Sequence, residues 1–233
     1  MLGSLNALFA STVLLVVGHF ALSSMPVRMK LVGWLGETRY LVAYSALMLA
    51  AMIWMVMAYI RAPADPVWTT PGGLIWLPVI LMPLAIFLIV AGLTTPSPTL
   101  AGTKLDDHNR DLTSGIVRVT RHPFLNGVSL WALVHLLVNG DTRSIVLFAG
   151  MFILSAGGMW HIDNRREYHC GADWGPVMLT TSAVPFVALI EKRATMDWAG
   201  IGWWRVLLSV AVYLALIAAH GFVIGRPAWP GIG

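Results

Sequence analysis

Charge is the first thing this sequence lacks. Only 11% of its 233 residues are Asp, Glu, Lys or Arg, whereas 58% are hydrophobic. A soluble domain carries roughly a quarter of charged residues. With a mean hydropathy of +0.75, the composition excludes an ordinary soluble enzyme and points to an integral membrane protein. Cysteine is almost missing as well. Cys170 stands alone, so the chain cannot close a disulfide on itself and no cysteine-based metal cluster is expected. The interiors of the apolar segments hold no carboxylate, Lys or Arg. That argues against a channel or pump, whose pathways usually need buried carboxylates or broken helices. Internal repeats and low-complexity tracts are absent too.

What is present is apolar length. A bilayer core needs roughly 20 apolar residues as helix. Six segments are candidates: residues 4–24, 39–60, 74–93, 124–138, 143–160 and 203–223, the fourth being short. The expectation is an all-α, polytopic helix bundle of about six transmembrane helices, a single domain over residues 1–233. The first segment has no basic leader and no small-residue cleavage site, so a retained span is expected. A further stretch, residues 184–190, is too short to cross and is expected to be interfacial or re-entrant.

The net charge is +4. In a soluble protein this would suggest nucleic acid. Here the cations sit in short loops, so no nucleic-acid partner is expected and the bilayer is the partner. Arg28, Lys30, Lys104, Arg110, Arg118, Arg121, Arg165, Arg166, Lys192 and Arg193 fall in the loops joining spans one to two, three to four and five to six. Arg61, Arg143 and Arg226 fall on the other side. The positive-inside rule therefore predicts cytoplasmic basic loops and both termini outside, and a bacterial inner membrane is the expected location. Trp34, Trp68, Trp76, Trp160, Trp174, Trp203, Trp204 and Trp229 lie near predicted span ends, as an aromatic belt requires.

Histidines are the polar groups inside the spans. His19 lies in the first, His135 in the fourth and His220 near the end of the sixth, with His122 and His161 at span ends. Neutral imidazole tolerates a low dielectric better than a carboxylate and is the commonest metal ligand. Two histidines from different helices can hold a haem iron. Gly18 would let a flat macrocycle approach, and Trp131 lies one turn before His135, where its ring can pack on a cofactor. The plain alternative for each is one hydrogen bond across a helix interface. It weighs equally for His19 and His135 and more heavily for His161 and His220. His108 and His169 read as solvated. At ~1.5 Å per residue, His19 lies roughly 10 Å in from Pro26 and His135 roughly 18 Å in from Pro123. Helix tilt can absorb the difference, and His19 with His122 is a rival pairing that periodicity does not decide.

A second constellation lies in the basic loops: Arg118, Arg121, His122, Pro123 and Gly127, then Asp163, Arg165, Arg166 and Glu167. Pro123 suits a first helical turn. A helix N-terminus beside arginines is an anion site for propionates, phosphates or a nucleoside carboxylate. For any single arginine, topology and lipid headgroups are the plainer reading.

These residues in this order resemble the NnrU family, which also contains the 15-cis-zeta-carotene isomerases of plants and cyanobacteria. The resemblance rests on Gly18-His19 with Ser23 and Ser24, Gly36-Glu37, Tyr59 through Ala62-Pro63, and Gly115-Ile116. It continues through Thr120-Arg121-His122-Pro123, Trp131 through His135, and Asn139-Gly140-Asp141. Asp163 with Arg165-Arg166, Trp174, Thr181-Ser182, Pro185-Phe186, His220 and Gly225 complete it. It implies haem b with His19 and His135 as axial ligands. Trp131, Arg118, Arg121, His122, Arg165 and Arg166 are then expected around the cofactor. In the isomerase branch a cysteine lies three residues before the second ligand; here Ala132 stands there, so redox behaviour that uses a thiol is not expected. The bacterial branch is associated with nitrogen-oxide metabolism.

Three functions remain open at this point. The first is a haem-dependent membrane protein, as a cis–trans isomerase of an apolar polyene or a factor in nitrogen-oxide metabolism. The second follows from the Arg-His-Pro motif and Arg166-Glu167, which also resemble isoprenylcysteine carboxyl methyltransferases. It would place S-adenosylmethionine against His122, Arg166 and Glu167. The third is an accessory subunit of a membrane complex. The sequence leaves oligomeric state and substrate open.

Overall fold

The computed structural model describes residues 3–99, 103, 112–226 and 228–229. Lys104, His108 and Arg110 lie outside them. The helices are α1 (Leu5–Ser23), α2 (Met25–Leu35), α3 (Glu37–Arg61), α4 (Leu77–Thr94) and α5 (Pro123–Val138). They continue with α6 (Thr142–Cys170), α7 (Trp174–Thr180), α8 (Val187–Ile190), α9 (Trp198–Ile201) and α10 (Trp203–Ile224). No strand occurs among the described residues. Five helical stretches are long and apolar enough to cross a membrane: α1, α3, residues 74–94 around α4, residues 142–180 beginning with α6, and α10. The expected fourth span is α5, of only 16 residues. It packs against both α4 and α6.

Helix ends follow local chemistry. Ser4 caps α1 by accepting from the Ala7 amide, and Asp141 caps α6 by accepting from the Ser144 amide at 3.0 Å. These side chains supply partners for amides that a helix start leaves unpaired. Two elements differ from the sequence expectation. Residues 25–35, expected to be loop, form α2, with Pro26 in its first turn and none of its residues buried. Helix α6 runs ten residues past its expected end at Trp160. The sequence His161–Cys170 turns polar, which ends an apolar run, but Arg and Glu are good helix formers and the helix goes on. It thereby lifts Asp163, Arg165 and Arg166 on a rigid rod.

The bundle has two distinct ends. One gathers the α3–α4 and α5–α6 connections. There the amides of Val67 and Trp68 donate to the Gly140 carbonyl at 2.7 and 3.2 Å, and the Thr142 amide donates to Asp65. The start of α1 lies at this end, where Gly3 meets Arg61, and Trp229 beyond α10 stacks edge-on against Trp76. The other end is basic. There Arg205 of α10 donates to the Thr94 carbonyl at the end of α4, and His161 of α6 meets Ser23 of α1.

Packing is closest between α4 and α5. A Cβ on Gly127 would lie 2.7 Å from the Ala85 carbonyl oxygen and 2.9 Å from the Ile89 amide. The absent side chain lets two backbones approach, as small residues do at membrane helix interfaces. Residues 184–190, the expected interfacial stretch, and residues 181–183 before them form no long helix. They fold back on residues 115–122, the Arg121 amide donating to Ser182 and the Phe186 amide to Val119. Gly127→Leu should lower the thermal midpoint in detergent, corresponding to roughly 1–3 kcal/mol or more of overpacking strain. An unchanged midpoint would contradict this packing.

Candidate functional site

The basic end holds the most enclosed ionic cluster. The chain before α5 is locked first. Thr120 donates its hydroxyl to the Ala183 carbonyl at 2.8 Å. The Arg121 carbonyl accepts from Ser97 at 3.1 Å and Thr99 at 2.6 Å. Asn126, one turn into α5, donates to the His122 carbonyl at 3.1 Å and to Ala183 at 2.9 Å. This framework aims Arg121 and His122 at Asp163 on α6. Arg121 Nε lies 3.0 Å from both carboxylate oxygens, and His122 Nε2 donates to Oδ1 at 2.9 Å. The side chains of Arg121 and His122 are 7% and 0% exposed, and Asp163 is 13% exposed. Withdrawn from water, such a pair holds only while its hydrogen bonds are complete. His122 Nδ1 and Trp174 Nε1 are buried without a hydrogen-bond partner among the described residues.

A second polar cluster joins α1, α3 and α6. Tyr44 and His19 Nδ1 are hydrogen-bonded at 2.9 Å. Ser23 contacts His161 Nε2 at 3.0 Å, and that nitrogen donates to the Ser23 carbonyl at 3.2 Å. Tyr40 stacks on Tyr44 and donates to the Leu22 carbonyl at 3.0 Å. Arg28 sits over the Tyr40 ring and pairs with Glu37. Arg165 lies within electrostatic reach of His19, Tyr40 and Tyr44.

His135 stands elsewhere. Its Nδ1 donates to the Trp131 carbonyl at 2.9 Å. A carbonyl only accepts, so Nδ1 carries the proton, and Nε2 of the neutral ring presents its lone pair. Trp131 and Phe148 flank the ring at centroid distances of 5.5 and 5.1 Å. His220 is its electrostatic neighbour.

The structure does not bring His19 and His135 together. Helix α6 supplies the ruler, with Thr12 facing Gly150 and Phe20 facing Gly157, while His135 packs on Phe148. His135 is therefore level with about residue 10 of α1, some nine residues or ~13 Å from His19 along the bundle axis. One iron needs both ligand nitrogens within about 4 Å of each other, so these two rings do not fit a single bis-histidine haem in this arrangement. Each fits singly: neither Nε2 has a hydrogen-bond partner among the described residues.

The other expected site residues separate. Arg121 and His122 meet at Asp163. Arg166 donates to the Thr103 carbonyl at 2.8 Å. Arg118 turns to Thr113 and Thr195, at 3.2 and 3.4 Å. His122 shows no face to solvent and spends Nε2 on Asp163, while Glu167 is exposed. The S-adenosylmethionine arrangement is thus not open in this conformation. The sequence reading passed over Tyr44 and Phe148; the Tyr40-x-x-x-Tyr44 spacing, one helical turn with two hydroxyls in an apolar span, was the available signal for the first. It also passed over Asp197, whose carboxylate accepts from the Gly115 amide at 2.8 Å and the Gly200 amide at 2.9 Å.

Those amides, Gly115 first, hold the Asp197 carboxyl below its ordinary value. A depressed folded-state value means stability that is present above the unfolded carboxyl range and lost as pH falls through the folded value. Thermal midpoints should therefore fall on acidification, and Asp197→Asn should flatten that acid limb; an unaltered limb would contradict the staple. Asp163→Asn should be far more damaging, costing roughly 3–5 kcal/mol because Arg121 is left buried without its counter-charge. A midpoint in detergent equal to wild type would exclude a structural role for the cluster.

Fold and site together define a polytopic helical membrane protein with most of its ionic groups at one end of an apolar bundle. The family model described as NnrU protein matches residues 7–228, so the chain belongs to the NnrU family. Part of the chain is similar to the chloroplastic 15-cis-zeta-carotene isomerase of Arabidopsis thaliana, 34% identical over 83 residues, covering 36% of this chain and 23% of that protein. The chloroplastic 15-cis-zeta-carotene isomerase of Zea mays is 32% identical over 80 residues, covering 34% of this chain and 22% of that protein. The matched region thus spans less than a quarter of either relative's length. No solved structure matches the chain.

Proposed function

We propose that the chain is a membrane-embedded haem b protein acting as a cis–trans isomerase of an apolar polyene, with His135 as the residue that holds the iron. The observation that carries this reading is the state of His135. Its proton is fixed on Nδ1 by the Trp131 carbonyl, its Nε2 lone pair has no partner among the described residues, and two aromatic rings flank it. Metal-bound imidazoles are usually oriented in this way through their second nitrogen. A haem bound there would supply the electronic chemistry that loosens a conjugated double bond. The chain supplies the rest. Trp131 and Phe148 fix the ring plane, and the apolar flank of α4 and α5 excludes water and accepts an apolar substrate. His19 belongs in this reading to the hydrogen-bonded set with Tyr44, Ser23 and His161, nearer the basic end. Partial similarity to the carotene isomerases suggests the substrate class. By the positive-inside rule the basic end faces the cytoplasm and the α3–α4 and α5–α6 connections face away.

The test is an absorption spectrum of the purified full chain with haem supplied, oxidised and then reduced. A b-type spectrum is expected for wild type and His19→Ala, and its loss for His135→Ala. A colourless wild type would contradict the proposal. Equal loss in both variants would restore the paired ligation implied by the family resemblance.

A further inference from the structure

A cavity of about 280 Å³ lies at the basic end, lined chiefly by Thr113, Arg118, Thr180, Lys192, Arg193 and Thr195. It is separate from the Asp163 cluster and independent of the haem reading. Its cations are held on a fixed frame. Arg193 donates to the carbonyls of Met178, Leu179 and Thr181 at 3.2, 2.8 and 2.9 Å, and to Glu191 at 2.7 Å. Arg118 donates to the Thr113 carbonyl and the Thr195 hydroxyl. Lys192 has a φ of 58°, a left-handed backbone that is costly for a side-chain-bearing residue. The Lys192 amide donates to Leu189 at 3.1 Å and the Arg193 amide to Ala188 at 2.8 Å, which holds that turn in place.

The positive charges of Lys192 and Arg118, set on this frame beside an Arg193 whose own donors go to carbonyls and Glu191, match a multi-oxygen anion such as phosphate. Among the described residues, the two neighbouring carboxylates are engaged. Glu191 pairs with Arg193, and Asp197 accepts from two backbone amides. A second observation concerns what surrounds the cavity. Leu179, Val184 and Ile190, on the same folded-back segments, are 68%, 63% and 76% exposed. Exposed aliphatic side chains beside a basic pocket suit the boundary where headgroups meet acyl chains.

We propose that this pocket binds a phosphate group, and that its apolar collar assigns the group to the headgroup of an anionic phospholipid. The full chain, in neutral detergent, is offered phosphatidylglycerol or phosphatidylcholine, and retained lipid is counted by native mass spectrometry. Phosphatidylglycerol should be preferred. Lys192→Gln and Arg118→Gln should each weaken its retention by about five-fold, whereas Lys30→Gln, an exposed cation on α2, should leave it unchanged. Lys192 is exposed, so Lys192→Gln keeps the test open if the Arg118 variant misfolds. Equal retention of the two lipids, wild-type binding by Lys192→Gln, or an equal loss with Lys30→Gln would overturn the site. Displacement of phosphatidylglycerol by inorganic phosphate at matched ionic strength would overturn the lipid assignment and leave a soluble phosphate ester as the ligand.

Discussion

One carboxylate organises the basic end of this bundle. Asp163 sits on α6 where that helix leaves the apolar layer, and it neutralises Arg121 while accepting from His122. Both donors come from the residues that open α5, so the contact fixes the start of α5 against the end of α6. The backbone of the same segment is paired with residues 182 and 186 and the Thr120 hydroxyl donates to residue 183, which ties in the turn that carries α8. Buried ionic contacts contribute little net stability compared with an apolar core, but breaking one is costly. The cluster therefore acts best as a lock on geometry. Two neighbouring features, the cavity lined by Arg118, Lys192 and Arg193 and the Ser23–His161 contact, hang from elements it positions.

Much of the fold was legible because the bilayer imposes a strong rule. Backbone groups in lipid must be satisfied within the helix, so long apolar runs such as 39–60 and 203–223 could only be helices. Where water takes over, the rule weakens. Hydropathy put the end of α6 at Trp160, yet the helix continues to Cys170, since polarity ends a span without ending a helix. It was equally silent about α2, which buries none of its own residues.

The candidate site was half legible. His19, His122, His135 and Asp163 announce themselves as polar residues in or beside apolar spans. Their partners do not. Depth depends on how α1 and α5 slide against α6, and no periodicity encodes that offset. Gly150 opposite Thr12 sets one register and Phe148 against His135 the other. Together they place His19 with Tyr44, near the basic end, and His135 with Trp131 in the apolar layer. The resemblance that paired these two histidines carries information about residue identity, whereas their separation emerges only from packing.

Under the proposed function, the decisive quantity is how many imidazoles would ligate a bound haem. Electron paramagnetic resonance of the ferric, haem-loaded full chain reads this directly. An axial, high-spin signal from one histidine that survives His19→Ala is the expected result. A rhombic, low-spin signal from two imidazoles, lost on His19→Ala, would contradict it.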